Sequence, residues 1–161
     1  MFLVKCCLYS KRSCFNKEII HKIKKGDNLE KELNNYEKIT LNAIKYCREE
    51  KLAPKVAWEK ATEGYLENIR KKACPKNAFL GLCETGKIKG IEKLMLEAKT
   101  KNGKYAVEAL KFINKDIPIK ELWKKVLIAT KENLNKAYNN QMDVVKILFD
   151  NNELIENFVN E

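Results

Sequence analysis

The chain has 161 residues and carries 32 Lys and Arg against 22 Asp and Glu, a formal charge of +10, with only 6 Gly and 3 Pro to break it. A length of this order buries roughly two-thirds of the surface its unfolded chain exposes, so 45% hydrophobic residues can fill a core without disulfides. Wholesale disorder, collagen-like repeats and a multidomain machine are excluded, and lysines interrupt every apolar run well short of the ~20 residues of a membrane span.

Met1-Phe2-Leu3-Val4 meets Lys5 before a signal-peptide apolar region can form, so no secretory leader is expected. The first 15 residues show no clean period and read as an extended arm. Asn16 is placed to cap a short helix carrying Ile19, Ile20 and Ile23, which Gly26 ends. Asp27 or Asn28 then opens a longer helix through Leu29, Leu33, Tyr36, Ile39, Ala43, Ile44 and Cys47, spaced by three or four. Ala53-Pro54 restarts the chain, with proline in a first-turn position, and Ala57, Trp58, Ala61, Tyr65 and Ile69 continue at helical spacing. Cys74-Pro75 begins a further helix whose face is Ala78, Phe79, Leu82 and Cys83, stopped by Gly86. A short amphipathic helix is expected over 91–98, and a polar loop through Thr100 and Gly103 before the helix of Tyr105, Ala106, Ala109, Leu110 and Ile113. Asp116 and Pro118 reset the chain for Leu122, Trp123, Val126 and Leu127. Met142, Val145, Leu148 and Phe149 mark a helix that Asn151 and Asn152 close, and Leu154, Ile155, Phe158 and Val159 suggest a last short one. The expected fold is all-α, a compact bundle of six to eight short helices with no strand pair. An irregular basic, Cys-containing arm spans 1–27 and a single helical domain 28–161.

Only Arg12, Arg48 and Arg70 are arginine, so 29 of the 32 basic residues are lysine. Frequent Lys, Asn and Ile resemble the output of an AT-rich genome, and lysine lacks the rigid fork that reads guanine. Sequence-specific DNA reading is disfavoured, while general attraction to phosphate is not. The charge is also uneven: residues 71–115 hold eleven basic and four acidic groups, whereas 116–161 hold six and eight. Lys71, Lys72, Lys76, Lys87, Lys89, Lys93, Lys99, Lys101 and Lys104 crowd into 34 positions beside two helix starts with free N–H groups. They form the candidate binding face, for a nucleic-acid backbone or an acidic protein surface. Phe79 and Tyr105 sit at core spacing, so a base-stacking platform is disfavoured.

Catalysis has little support. His21 is the only histidine, which removes every site needing two. Cys6, Cys7, Cys14, Cys47, Cys74 and Cys83 include no C-x-x-C pair, so no metal site is expected. Cys74 alone sits at a helix N-terminus between Lys72 and Lys76, where a thiolate is favoured. A cysteine-dependent enzyme using Cys74, or a redox- or metal-responsive protein using Cys6, Cys7 and Cys14, is therefore the rival reading. No Walker or dinucleotide glycine pattern is present, and no cofactor is expected.

The stretches Ala53-Pro54-Lys55-Val56-Ala57-Trp58-Glu59, Cys74-Pro75-Lys76-Asn77-Ala78-Phe79-Leu80-Gly81-Leu82-Cys83, Tyr105-Ala106 and Gln141-Met142-Asp143-Val144-Val145 resemble an uncharacterised small helical domain of bacteria and their mobile elements. The likeness runs from about Ala53 to Ile155 and implies a fold but no activity. Met142 to Leu148 is similar to the second helix of an ankyrin repeat, but no ~33-residue period accompanies it. A helix-turn-helix drawn through Pro75 to Ala98 rests only on Gly86 in the turn. The expectation is a cytoplasmic, non-enzymatic basic binding protein without a membrane partner. One concrete form is a mobile-element inhibitor of a host nuclease or CRISPR-like complex, acting in its nucleic-acid channel or on its guide RNA. A toxin–antitoxin or other structural partner without nucleic-acid contact is the remaining class.

Overall fold

The computed structural model describes residues 32–155. They form seven helices: α1 (Asn35–Glu49), α2 (Pro54–Ala61), α3 (Glu67–Arg70), α4 (Ala73–Glu84), α5 (Lys101–Ala109), α6 (Ile119–Ala129) and α7 (Gln141–Asp150). The fold is all-α, and the one β feature among the described residues is an isolated antiparallel bridge between Ile88 and Leu154. None of these helices is long and apolar enough to cross a membrane. The arm over 1–27, with Cys6, Cys7, Cys14 and His21, lies outside the described residues, as do Phe158 and Val159.

The order of packing follows from where apolar residues repeat. Helix α7 buries seven of its ten positions, from Gln141 to Leu148 with Lys146 left out: five are apolar, and the polar Gln141 and Asp143 are buried with their side chains hydrogen-bonded. It lies at the centre, against α1, α4, α5 and α6, while α4 also packs on α2 and α5. Trp58, Phe79, Leu82, Leu122, Val126, Leu127 and Leu148 are shut from solvent in the resulting core. Helices α4 and α5 come closest where Gly81 meets Gly103. A β-carbon built on Gly81 would stand 2.3 Å from the Gly103 Cα, so α4 admits no side chain at the crossing, while one on Gly103 would be tight at 3.0 Å from the Gly81 Cα.

Several starts and stops differ from the sequence expectation. Asp27 and Asn28, where a start is expected, lie outside the described residues, and helix α1 opens at Asn35 behind Asn34, whose extended backbone caps it. The reason is a capping box, in which Asn34 Oδ1 accepts from the Tyr36 and Glu37 N–H groups and the Glu37 carboxylate accepts from Asn34 N at 2.7 Å. The run from Ala57 to Ile69 is broken in two, because Thr62 caps α2 and Gly64 takes φ +84°. Helix α5 begins at Lys101, its Gly103 N–H bonded to the Thr100 hydroxyl, so the expected polar loop is the first turn of a helix. No helix forms over 91–98, and Leu154 pairs with Ile88 instead of opening a terminal helix.

Three helix starts converge on one polar node. Asp143, in the first turn of α7, accepts from Asn34 Nδ2 and Asn140 Nδ2 at 3.0 Å each and from the Tyr138 hydroxyl. Lys72, the residue before α4, donates to Asn140 Oδ1 at 2.6 Å. The cap residues of α1, α4 and α7 are thereby tied together, and a buried carboxylate meets the positive ends of α1 and α7.

Candidate binding surface

The nine lysines singled out by the sequence do not form one open face. Lys71 pairs with Glu67 on α3. Lys72 is held by Asn140 and stands over the Tyr36 ring, 5.4 Å from its centroid. Lys76 binds the Glu59 carboxylate at 2.9 Å, which holds Glu59 below the usual carboxylate range. Lys101 bonds Glu132, and Lys104 reaches Glu97 at 3.3 Å. The Glu132 carboxyl is drawn down to about 2, first by the hydrogen bond from Lys101 and then by those from Lys136 and Tyr105. Lys89 donates to Asn152 Oδ1 at 2.9 Å. Six of the nine cations are therefore engaged by side chains of the same domain.

Lys87, Lys89, Lys93 and Lys99 lie on the segment between α4 and α5. This segment has no helix, yet its backbone is fixed at many points. Gly86 closes α4 in the left-handed region at φ +66°, and its N–H and that of Lys87 bond the carbonyls of Cys83 and Leu82. Lys89 N donates to Glu153 O at 2.8 Å, and Ile155 N to Lys87 O at 3.1 Å. Arg48 spans the same place, donating through Nε to Lys89 O at 3.1 Å and through a terminal nitrogen to the Glu153 carboxylate at 2.6 Å. Glu84 then gathers the far half: its carbonyl accepts from Leu94 N and Met95 N at 2.9 and 2.8 Å, and its carboxylate from Lys99 N at 3.0 Å.

The consequence is a loop with a defined inside and outside. Ile88 and Ala98 are buried and Ile91 and Met95 partly so, whereas Leu94 is 64% exposed and Leu96 88%. The side chains of Lys93 and Lys99 meet no counter-ion among the described residues. A groove of about 310 Å³ runs between this loop and α5, lined by Thr85, Lys87, Leu96, Lys104 and Val107 among others. Lys120 and Lys124 on the outer side of α6, and Lys131 beyond its end, also lack a counter-ion among the described residues, but the large exposed apolar residues nearest them in sequence, Ile128 and Leu134, stand six positions apart.

The cysteine reading gains nothing from the geometry. Cys74 is half-buried in the first turn of α4, and its two lysine neighbours are turned to Asn140 and Glu59. No hydrogen bond engages its thiol among the described residues. Burial pushes the Cys47 thiol up against the opposing pull of Arg48, and pushes Cys83 well above its ordinary value. Among the described residues no three His, Cys, Asp or Glu side chains gather as a metal site would require.

Sequence reasoning did not find Leu94, Leu96, Arg48 or Glu84. The first two carry a readable signal, since they stand two apart and cannot share a helix face with each other.

The chain belongs to a family of unknown function, DUF6979, whose profile matches residues 33–156. The match begins one residue before the Asn34 cap. No curated protein and no solved structure matches the chain.

Proposed function

From a family that brings no activity with it, we propose that this domain is a non-catalytic binding protein whose basic segment over 87–104 engages a densely acidic partner. The observation that carries the reading is the contrast along the lysine cluster. Lys71, Lys72, Lys76, Lys101 and Lys104 are spent on contacts within the domain, while Lys93 and Lys99 project from an anchored loop with no counter-ion among the described residues. Exposed lysines contribute little to folding, so charge held outward on a fixed backbone serves an external field.

The composition suits a partner recognised by charge density. Lysine offers a point charge without the bidentate fork, which favours phosphate or carboxylate arrays over base edges. A defence-complex target remains one setting for it. There the contact is to guide RNA, since a nucleic-acid channel is itself positive and repels a basic face. The test is electrophoretic retardation of duplex DNA and single-stranded RNA, beside retention on polyglutamate, across a salt series. Binding to at least one of the three that strengthens as salt falls is the expected result. Failure to bind all three at low salt overturns the reading.

A further inference from the structure

We infer that the loop carrying Leu94 and Leu96 is a docking site for a protein that presents an apolar pocket bordered by acidic side chains. This rests on the reading of segment 87–104 as the binding surface and adds what recognises the partner there. Leu94 and Leu96 are 64% and 88% exposed, and among the described residues no other two large exposed apolar residues stand within three positions of each other. Single exposed leucines are ordinary, whereas a pair at one tip with a charged border has the make-up of an interface core and rim.

The anchoring makes the pair a fixed feature. Glu84 alone takes three backbone N–H groups of the loop, from Leu94, Met95 and Lys99, and buried Ala98 pins its far end. The leucines are thus held outward by hydrogen bonds made behind them. A partner that covers them has little ordering to impose, which favours tight association for a small area.

Charge selects the occupant. Segment 87–104 has six lysines against Glu92 and Glu97, and Glu97 is paired with Lys104. A second copy of the chain would set like charge against like, so the complementary surface is acidic. Nucleic acid satisfies the lysines but leaves both leucines against phosphate and water. A protein with carboxylates around an apolar recess satisfies both sets, and the groove beside Leu96 gives room for one of its side chains.

The experiment places a photoactivatable benzophenone amino acid at position 94 or 96 of the full chain, in cells that make the protein, with positions 66 and 128 as exposed controls. The expected result is one protein adduct, acidic in composition, shared by positions 94 and 96 and missing at 66 and 128. Its yield falls at least tenfold in Lys93→Glu/Lys99→Glu. Leu94→Ser/Leu96→Ser, placed in a wild-type competitor chain, loses the ability to suppress the adduct while keeping the wild-type melting temperature and polyglutamate retention. An adduct destroyed by nuclease, an adduct equally strong at the control positions, or none at all overturns the inference. Failure of the wild-type chain to bind DNA, RNA and polyglutamate alike at low salt is a separate failure, that of the charge reading beneath it.

Discussion

Replacing Gly81 by alanine tests the packing that places the basic segment at the end of α4. The added β-carbon would lie 2.3 Å from the Gly103 Cα, 2.9 Å from its carbonyl carbon and 3.0 Å from its oxygen. All three obstacles are backbone, so no side-chain rotation relieves them and the helices must part at their crossing. Overpacking of this kind costs about 3 kcal/mol when the neighbour cannot give, and alanine's better helix propensity returns about 1 kcal/mol of it. The net loss is about 2 kcal/mol, or a melting temperature lower by roughly 8 °C for a domain of this size. Gly64 is the control: a β-carbon there meets nothing within 4 Å, though φ is +84°. Gly64→Ala therefore loses only about 1 kcal/mol, from left-handed backbone strain. Urea unfolding followed by far-ultraviolet circular dichroism measures both. A Gly81→Ala chain as stable as wild type, or less damaged than Gly64→Ala, refutes the close crossing.

Lys131 ends α6 in the left-handed region at φ +54°, with Glu132 N bonded to Leu127 O as in a glycine-closed helix. Lys131→Gly is expected to raise stability by about 1 kcal/mol, and an unchanged or lower urea midpoint contradicts that geometry. Arg48→Met removes donors from Lys89 O and from the Glu153 carboxylate, so a loss of about 1 kcal/mol is expected. Amide exchange should quicken at Lys89 and Ile155, and exchange no faster than wild type refutes the tie. Glu132 has its folded carboxyl drawn down to about 2, below its unfolded value. Its contribution is thus present at neutral pH and lost as pH falls from the ordinary glutamate range of about 4.3 toward about 2. Urea midpoints for Glu132→Gln should fall less over that window than those of wild type, and parallel curves contradict the assignment.

How much of this was readable in advance depended on which residues hold each element end. Pro54 and Gly86 announce their roles, because proline suits a first turn and glycine the left-handed stop. Lys131 and Asn152 do the same work as Gly86 at the ends of α6 and α7, and a lysine in that position sends no signal. The cap at Asn34 was hidden by apolar residues upstream that prolong the helical period past the true start. The misread helix over 91–98 is the most instructive case. Ile91, Met95 and Ala98 do stand at helical spacing and do turn inward, yet the Leu94 and Met95 N–H groups bond Glu84 O instead of a preceding turn. A tertiary acceptor outweighed a local pattern. For the same reason the lysine cluster was legible as a run of charge but not as paired and unpaired members, since Glu59 and Glu132 lie far along the chain from Lys76 and Lys101.

The central claim is that charge held on segment 87–104, and not net charge, engages the partner. Its most direct test compares Lys93→Glu/Lys99→Glu with Lys120→Glu/Lys124→Glu, two pairs of equal charge change without counter-ions among the described residues. The measurement is affinity for whichever of DNA, RNA and polyglutamate the wild-type chain binds, taken across a salt series. The account predicts that the first pair weakens binding strongly and flattens the salt dependence by about two phosphate-equivalent contacts on nucleic acid, while the second leaves both nearly unchanged. Equal losses from the two pairs, or a larger loss from the α6 pair, contradict it.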